Sequence, residues 1–123
     1  MLSNPKAITG SEGEDAATVW LRSNGFLLRD RNWRQGRYEI DIVAEKGGII
    51  HFIEVKTRRA GSLRSPEQAI TTSKQNAMRQ AVSAYIAQHR IRGEVAFDMI
   101  AIDKFPDGMM DLRFIPDIVE IGW

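Results

Sequence analysis

Residues 38–58 read YEIDIVAEKGGIIHFIEVKTR. Runs rich in β-branched and apolar residues flank Gly47-Gly48, a pair that marks a two-residue turn. The stretch therefore predicts a hairpin of two strands, Tyr38 to Glu45 and Ile49 to Arg58. Strand side chains alternate between faces, so Glu54 and Lys56 leave one side of the second strand while Ile53 and Val55 point the other way, into a core. Burying charge is costly unless a partner or a metal compensates. An acid-x-lysine pair on so apolar a strand, with Asp41 on its hairpin neighbour, is a conflict between pattern and chemistry of the kind found at functional sites.

Working outward, Ser11-Glu12-Gly13-Glu14 reads as a capping box with Ser11 as N-cap. Ala16, Ala17, Trp20 and Leu21 follow at helical spacing up to a stop at Asn24-Gly25. A strand is expected over Phe26 to Arg34, before the hairpin. Beyond it comes a polar loop from Gly61 to Pro66, then a helix from Thr72 or Ser73 to about Arg90 with an apolar stripe of Ala77, Met78, Ala81, Val82, Tyr85 and Ile86. Strands over Glu94 to Asp103 and Met109 to Ile115 close the chain around a Pro106-Asp107-Gly108 turn. The order α-β-β-β-α-β-β predicts an α/β fold, a mixed five-stranded sheet flanked by helices. At 123 residues this is one domain, expected over 11–123 behind a flexible leader of residues 1–10.

Composition removes several classes. There is no cysteine, which excludes disulfides, thiolate nucleophiles and cysteine-based zinc sites. His51 and His89, the two histidines, sit in no ligand spacing and read as surface or packing residues. No apolar run matches a secretion signal or a membrane span, so a cytoplasmic protein is expected. Charge is unevenly spread: residues 56–92 hold eight Lys and Arg against the single acid Glu67, while 93–123 hold seven Asp and Glu against Lys104 and Arg113. Such asymmetry suits a phosphate backbone, though the same charges can simply solvate a helix and loops.

The chemistry these residues point to is metal-assisted phosphodiester hydrolysis. Mg²⁺ takes oxygen ligands and is commonly held by one or two carboxylates plus waters and phosphate oxygens. Asp41 and Glu54, on adjacent strands, are the candidate ligands. Glu14 is a further oxygen donor or merely the end of its capping box, and Glu39 is a supporting neighbour of Asp41. Lys56 is placed to orient a water or to stabilise charge developing on phosphate. Arg58, Arg59 and Arg64 are expected at the mouth of the site as backbone contacts. Arg31 and Arg34, around Trp33, are candidates for the same role, with Trp33 either stacked on a base or in the core.

Gly13-Glu14, Ala16-Ala17, Gly25-Phe26, Arg31-Asn32, Glu39-Ile40-Asp41-Ile42, Phe52 to Arg58, Lys74 and Phe97-Asp98 also recur in one order. In that order the sequence resembles the bacterial YraN-like proteins, which are similar to archaeal Holliday junction resolvases and belong to the restriction-endonuclease-like PD-(D/E)xK nuclease superfamily. The resemblance runs from residue 10 to about 115. It implies a restriction-endonuclease-like sheet with Glu14, Asp41, Glu54 and Lys56 as catalytic positions, Mg²⁺ or Mn²⁺ as cofactor, and Lys74 and Gln75 as additional polar site residues. The implied substrate is DNA of branched or structured form, cut symmetrically by a homodimer. The superfamily's proline before the aspartate is here Ile40. The alternative reading is a non-catalytic nucleic-acid-binding module of the same fold.

Overall fold

Gly47 at φ 60° and Gly48 at φ 79° occupy the left-handed region in succession, which lets the chain reverse in two residues. In the computed structural model, which describes residues 5–119 and side chains from Ser11 onward, that reversal joins β2 (Tyr38–Lys46) to β3 (Ile49–Arg59). The other elements are α1 (Pro5–Ser23), β1 (Leu27–Gln35), α2 (Thr72–His89), β4 (Val95–Lys104) and β5 (Met110–Ile115). The sheet order is β1-β2-β3-β4-β5, with β3 and β4 parallel and every other neighbouring pair antiparallel. A parallel pair needs a long crossover, and α2 supplies it. The architecture is therefore a mixed α/β fold, with its expected order of elements and strand ends within a residue or so of those read from sequence.

The helices cover opposite faces. Against α2, Val82 and Tyr85 pack with Trp33, Phe52 and Phe97; against α1, Ala17 and Leu21 pack with Ile42, Ile53 and Ile100. Tyr85 is the centre of the first cluster, its ring meeting those of Trp33 and Phe52 edge-on at 5.3 and 5.4 Å. Its hydroxyl donates to Asp30 at 2.7 Å, so the phenol is buried without an orphaned polar atom. Trp33 is thus a core residue. The stripe on α2 is as expected apart from Ala77, which is exposed, with Ala84 packed on the cluster instead.

Two expectations are corrected. Helix α1 begins at Pro5, so Ser11 to Glu14 lie within it and Ser11 caps nothing. A capping-box pattern marks a start only when the preceding residues cannot be helical, and proline is well suited to a first helical position. The loop after β3 also contains an unanticipated 3₁₀ turn, Pro66–Ala69. Of the leader read over 1–10, residues 1–4 lie outside the described residues, as do 120–123.

At Gly13 α1 runs close against β3. A Cβ added there would stand 2.1 Å from Thr57 Oγ1 and 3.4 Å from Thr57 Cβ. Alanine improves helix propensity by roughly 1 kcal/mol, but overpacking costs about 1–3 kcal/mol. Gly13→Ala is therefore expected to lower the melting temperature, and Gly13→Ala/Thr57→Ala to recover much of the loss, a coupling that a thermal double-mutant cycle measures directly.

Candidate active site

Strand alternation fails at a bulge in β1 between Leu28 and Asp30 and again at Asp41, and the second failure builds the site. Trp33 and Ile40 are Cα partners and both pack on the α2 side, whereas Ile42, two residues further along β2, packs on the α1 side. The break falls at Asp41 on β2 and at Asn32 on β1, whose φ of 54° puts it in the left-handed region that asparagine tolerates. Pairing of β2 with β3 runs from Lys46↔Ile49 only as far as Ile42↔Ile53. Beyond that point the Val55 N–H donates to Asp41 Oδ2 at 2.9 Å. The aspartate thus stands between the two strands, its carboxylate taking the place of a ladder carbonyl.

On β3, alternation holds. Phe52 lies in the α2-side cluster and Ile53 in the α1-side cluster, so Glu54, Lys56 and Arg58 share the α2 face. Glu54 Oε1 meets Lys74 Nζ at 3.2 Å. Lys74 stands in the first turn of α2, where Thr71 accepts its N–H in the N-cap hydrogen bond. From the other side, Glu14 on α1 pairs with Arg31 on β1 at 3.7 Å, and Arg31 also donates to Asp15.

These charges act on Asp41. Its carboxyl is pushed up to about 7, first by burial and then by Glu54, with Glu14 adding to the rise; the Val55 N–H and the Lys74 ammonium pull the other way. Asp41 therefore feels the charge of Glu54 on one side and of Glu14 on the other, and the nearby cation does not cancel the excess. Among the described residues no three acidic or histidine side chains are gathered closely enough to hold one ion together. The donor set that fits a hard divalent cation is the pair Asp41 and Glu54, completed by waters and substrate oxygens.

The remaining candidates divide into committed and free. Lys56 is exposed and makes no hydrogen bond or ion pair among the described residues, which leaves its ammonium available on the face that carries Glu54. Arg59 and Arg64 are likewise exposed and unpaired among the described residues. Arg58 instead donates through Nε to Asp103 at 2.8 Å, and Arg31 is tied to α1 as above. Arg34 pairs with Glu39 at 3.5 Å, both largely exposed. Because alternation breaks at Asp41, the spacing of two residues does not by itself carry Glu39 to Asp41's side. Gln75 follows Lys74 in the same turn, and its side chain has no hydrogen bond among the described residues. The half-buried His51 pairs with the buried Asp98 at 2.5 Å, and Asp98 also accepts the Asp117 N–H at 3.0 Å, which anchors the segment after β5. Sequence reasoning missed the roles of Asn32 and the Val55 amide; an asparagine opposite an aspartate in a strand pair was the available signal for the first.

Over residues 13–102 the chain matches the model of a family described as Uncharacterised protein family UPF0102, a stretch that spans Glu14, Asp41, Glu54, Lys56 and Lys74. Among the relatives is a UPF0102 protein of Bacteroides thetaiotaomicron, 40% identical over 93 residues, covering 76% of this chain and 77% of the relative. A UPF0102 protein of Dictyoglomus turgidum is 34% identical over 110 residues, 88% of this chain and 93% of the relative. One of Chloroherpeton thalassium is 34% identical over 122 residues, 93% of this chain and 95% of the relative.

Proposed function

Because the chain belongs to the UPF0102 family, whose description names no activity, we propose its function from the site itself: metal-dependent hydrolysis of phosphodiester bonds in DNA. The observation that carries this reading is the Asp41 carboxyl, raised to about 7 beside two further carboxylates. A site that holds such repulsion gains from a cation that neutralises it, and functional sites are where carboxylates are forced together in this way. The carboxylate pair on neighbouring strands, with Lys56 two residues beyond Glu54, supports placing the fold in the restriction-endonuclease-like PD-(D/E)xK group. Within it, the archaeal Holliday junction resolvases are the model for the substrate: branched DNA in the cytoplasm, cut by paired active sites of a homodimer.

In this mechanism Asp41 and Glu54 would hold Mg²⁺ or Mn²⁺, with Glu14 as a further oxygen donor. When bound, the ion polarises a phosphoryl oxygen and lowers the pKa of a water. The Val55 amide fixes the Asp41 carboxylate, and Arg31 restrains Glu14 from turning outward. Lys56 orients the attacking water and offsets the charge that grows on the phosphate as the new oxygen–phosphorus bond forms and the old one breaks. Arg59 and Arg64 supply phosphate contacts beside the site.

One observation favours a second reading. Lys74 already neutralises Glu54 at 3.2 Å, as a module that binds DNA without cutting it would require. The two separate in a single assay. Incubated with Mn²⁺ and labelled four-way, forked, single-stranded and duplex DNA, the protein is expected to cleave an open or branched form, and Asp41→Ala is expected to abolish cleavage. Binding without cleavage under any divalent cation would establish the module instead.

A further inference from the structure

The end of the sheet beyond Lys56 carries an uncommon surface. Leu63 is fully exposed, Met109 is 66% exposed and Phe105 is 41% exposed. Single exposed apolar side chains are ordinary on a protein surface, but these three stand on two neighbouring tips. Strands β3 and β4 are parallel and end side by side at Arg59↔Lys104, and the Ala60 N–H donates to the Lys104 carbonyl at 2.9 Å. From there one chain segment leaves through a tight turn, in which Ser62 bonds the Arg59 carbonyl, and exposes Leu63. The other reverses between Phe105 and Met109, whose backbones are bonded at 2.9 Å.

Two free cations border the Leu63 tip. Arg59 and Arg64 flank Leu63 and, like Lys56, have no ion pair among the described residues. Of the acids nearby, Asp103 accepts from Arg58 and Glu12 pairs with Lys104 at 2.6 Å, while Asp107 accepts the Met109 N–H and, like Asp111 on β5, has no ion pair among the described residues. The segment that carries Leu63 then returns to α2 at Lys74, which holds Glu54. It therefore links the tip to the helix that supplies Lys74 to the candidate active site.

We propose that Leu63, with Phe105 and Met109 beside it, forms an apolar ledge that packs on unstacked bases of DNA while Arg59 and Arg64 grip the adjoining phosphates; the ledge rests on the hydrolase reading only for the site it serves. Stacked duplex hides its base faces, whereas a fork, a junction or a single strand offers them together with phosphate charge. Proteins that open or read such DNA use apolar wedges and base stacking in this way. The ledge makes the protein choose open over closed DNA.

The test is binding in metal-free buffer with chelator, read by fluorescence anisotropy on labelled forked and fully paired DNA. The parent is expected to prefer the fork, and Leu63→Ser to lose that preference by about three- to tenfold while duplex affinity holds. Because Leu63 is fully exposed, the substitution leaves the core intact, which a thermal melt verifies. Leu63→Trp is expected to show quenched emission on the fork and not on duplex. Equal fork-to-duplex ratios for parent and Leu63→Ser overturn the ledge. So does Leu63-dependent binding to phosphatidylglycerol vesicles with no discrimination between DNA forms, which assigns the tips to a membrane surface. Cleavage with Mn²⁺ is scored separately. Leu63-dependent fork binding without cleavage removes the hydrolase and keeps the ledge, while cleavage with unchanged preference does the reverse.

Discussion

At pH 8 the Asp41→Asn protein is expected to melt higher than the parent, with the difference shrinking as the pH falls toward 5. The folded Asp41 carboxyl lies at about 7, whereas the ordinary value is 3.8. Between those values the folded chain keeps a proton that the unfolded chain has released, so stability falls as the pH rises through this window and levels off above it. Applied to that separation, a cost of ~1.36 kcal/mol per pKa unit sets a ceiling of about 4 kcal/mol. Coupling to Glu54 and partial solvent access reduce it to roughly 1–3 kcal/mol, or about 3–10 °C in a domain of this size. Asparagine keeps an oxygen for the Val55 N–H and removes the charge, so it collects the gain without losing the bond. The same carboxylate would bind the cation. Mn²⁺ is therefore expected to raise the parent's melting temperature more at pH 8 than at pH 6, and that of Asp41→Asn hardly at all. A parent whose stability is level between pH 5 and 8 sinks this account of the site.

How much of this was legible in the sequence depends on whether a residue obeyed local rules. The hairpin was readable because Gly47-Gly48 and its flanks agree on one geometry, and α2 because its apolar stripe and the Thr71 cap agree on another. Glu54 and Lys56 were placed correctly relative to Ile53 and Val55 because β3 alternates without interruption. The relation of Glu39 to Asp41 was not legible, because alternation breaks between Ile40 and Ile42, and no spacing rule announces a break. The arginines were legible as charges but not as partners. Arg31 and Arg58 both answer to acids far away in sequence, on α1 and β4, and Arg59 and Arg64 do not. Helix α1 was misjudged at its start because a capping pattern is local, while its extension to Pro5 rests on residues before it.

The two lysines near Glu54 are expected to respond oppositely to removal, and that contrast is the sharpest test of the mechanism. Lys56 has no partner among the described residues and faces the same side as Glu54, so its work begins only when substrate arrives. Lys56→Ala should leave fold, Mn²⁺ affinity and DNA binding nearly unchanged and lower cleavage by about 10²–10³-fold, the usual scale for losing a charge-stabilising donor in the transition state. Lys74 is engaged in the resting protein, where it holds Glu54 at 3.2 Å and pulls the Asp41 carboxyl down. A cation entering between those carboxylates must contend with that ammonium. Lys74→Ala should therefore tighten Mn²⁺ binding, by about three- to tenfold after screening at a partly exposed position. It should also push the Asp41 carboxyl further up, so that the gain appears above pH 7 and fades below it. Titration calorimetry with Mn²⁺ at pH 6 and 8, run beside a single-turnover cleavage assay, separates the two. Should Lys74→Ala weaken metal binding at pH 8, the ammonium is organising the carboxylates and not competing for them. Should Lys56→Ala cleave as fast as the parent, the lysine on β3 is a surface charge and the assignment of chemistry to this face fails.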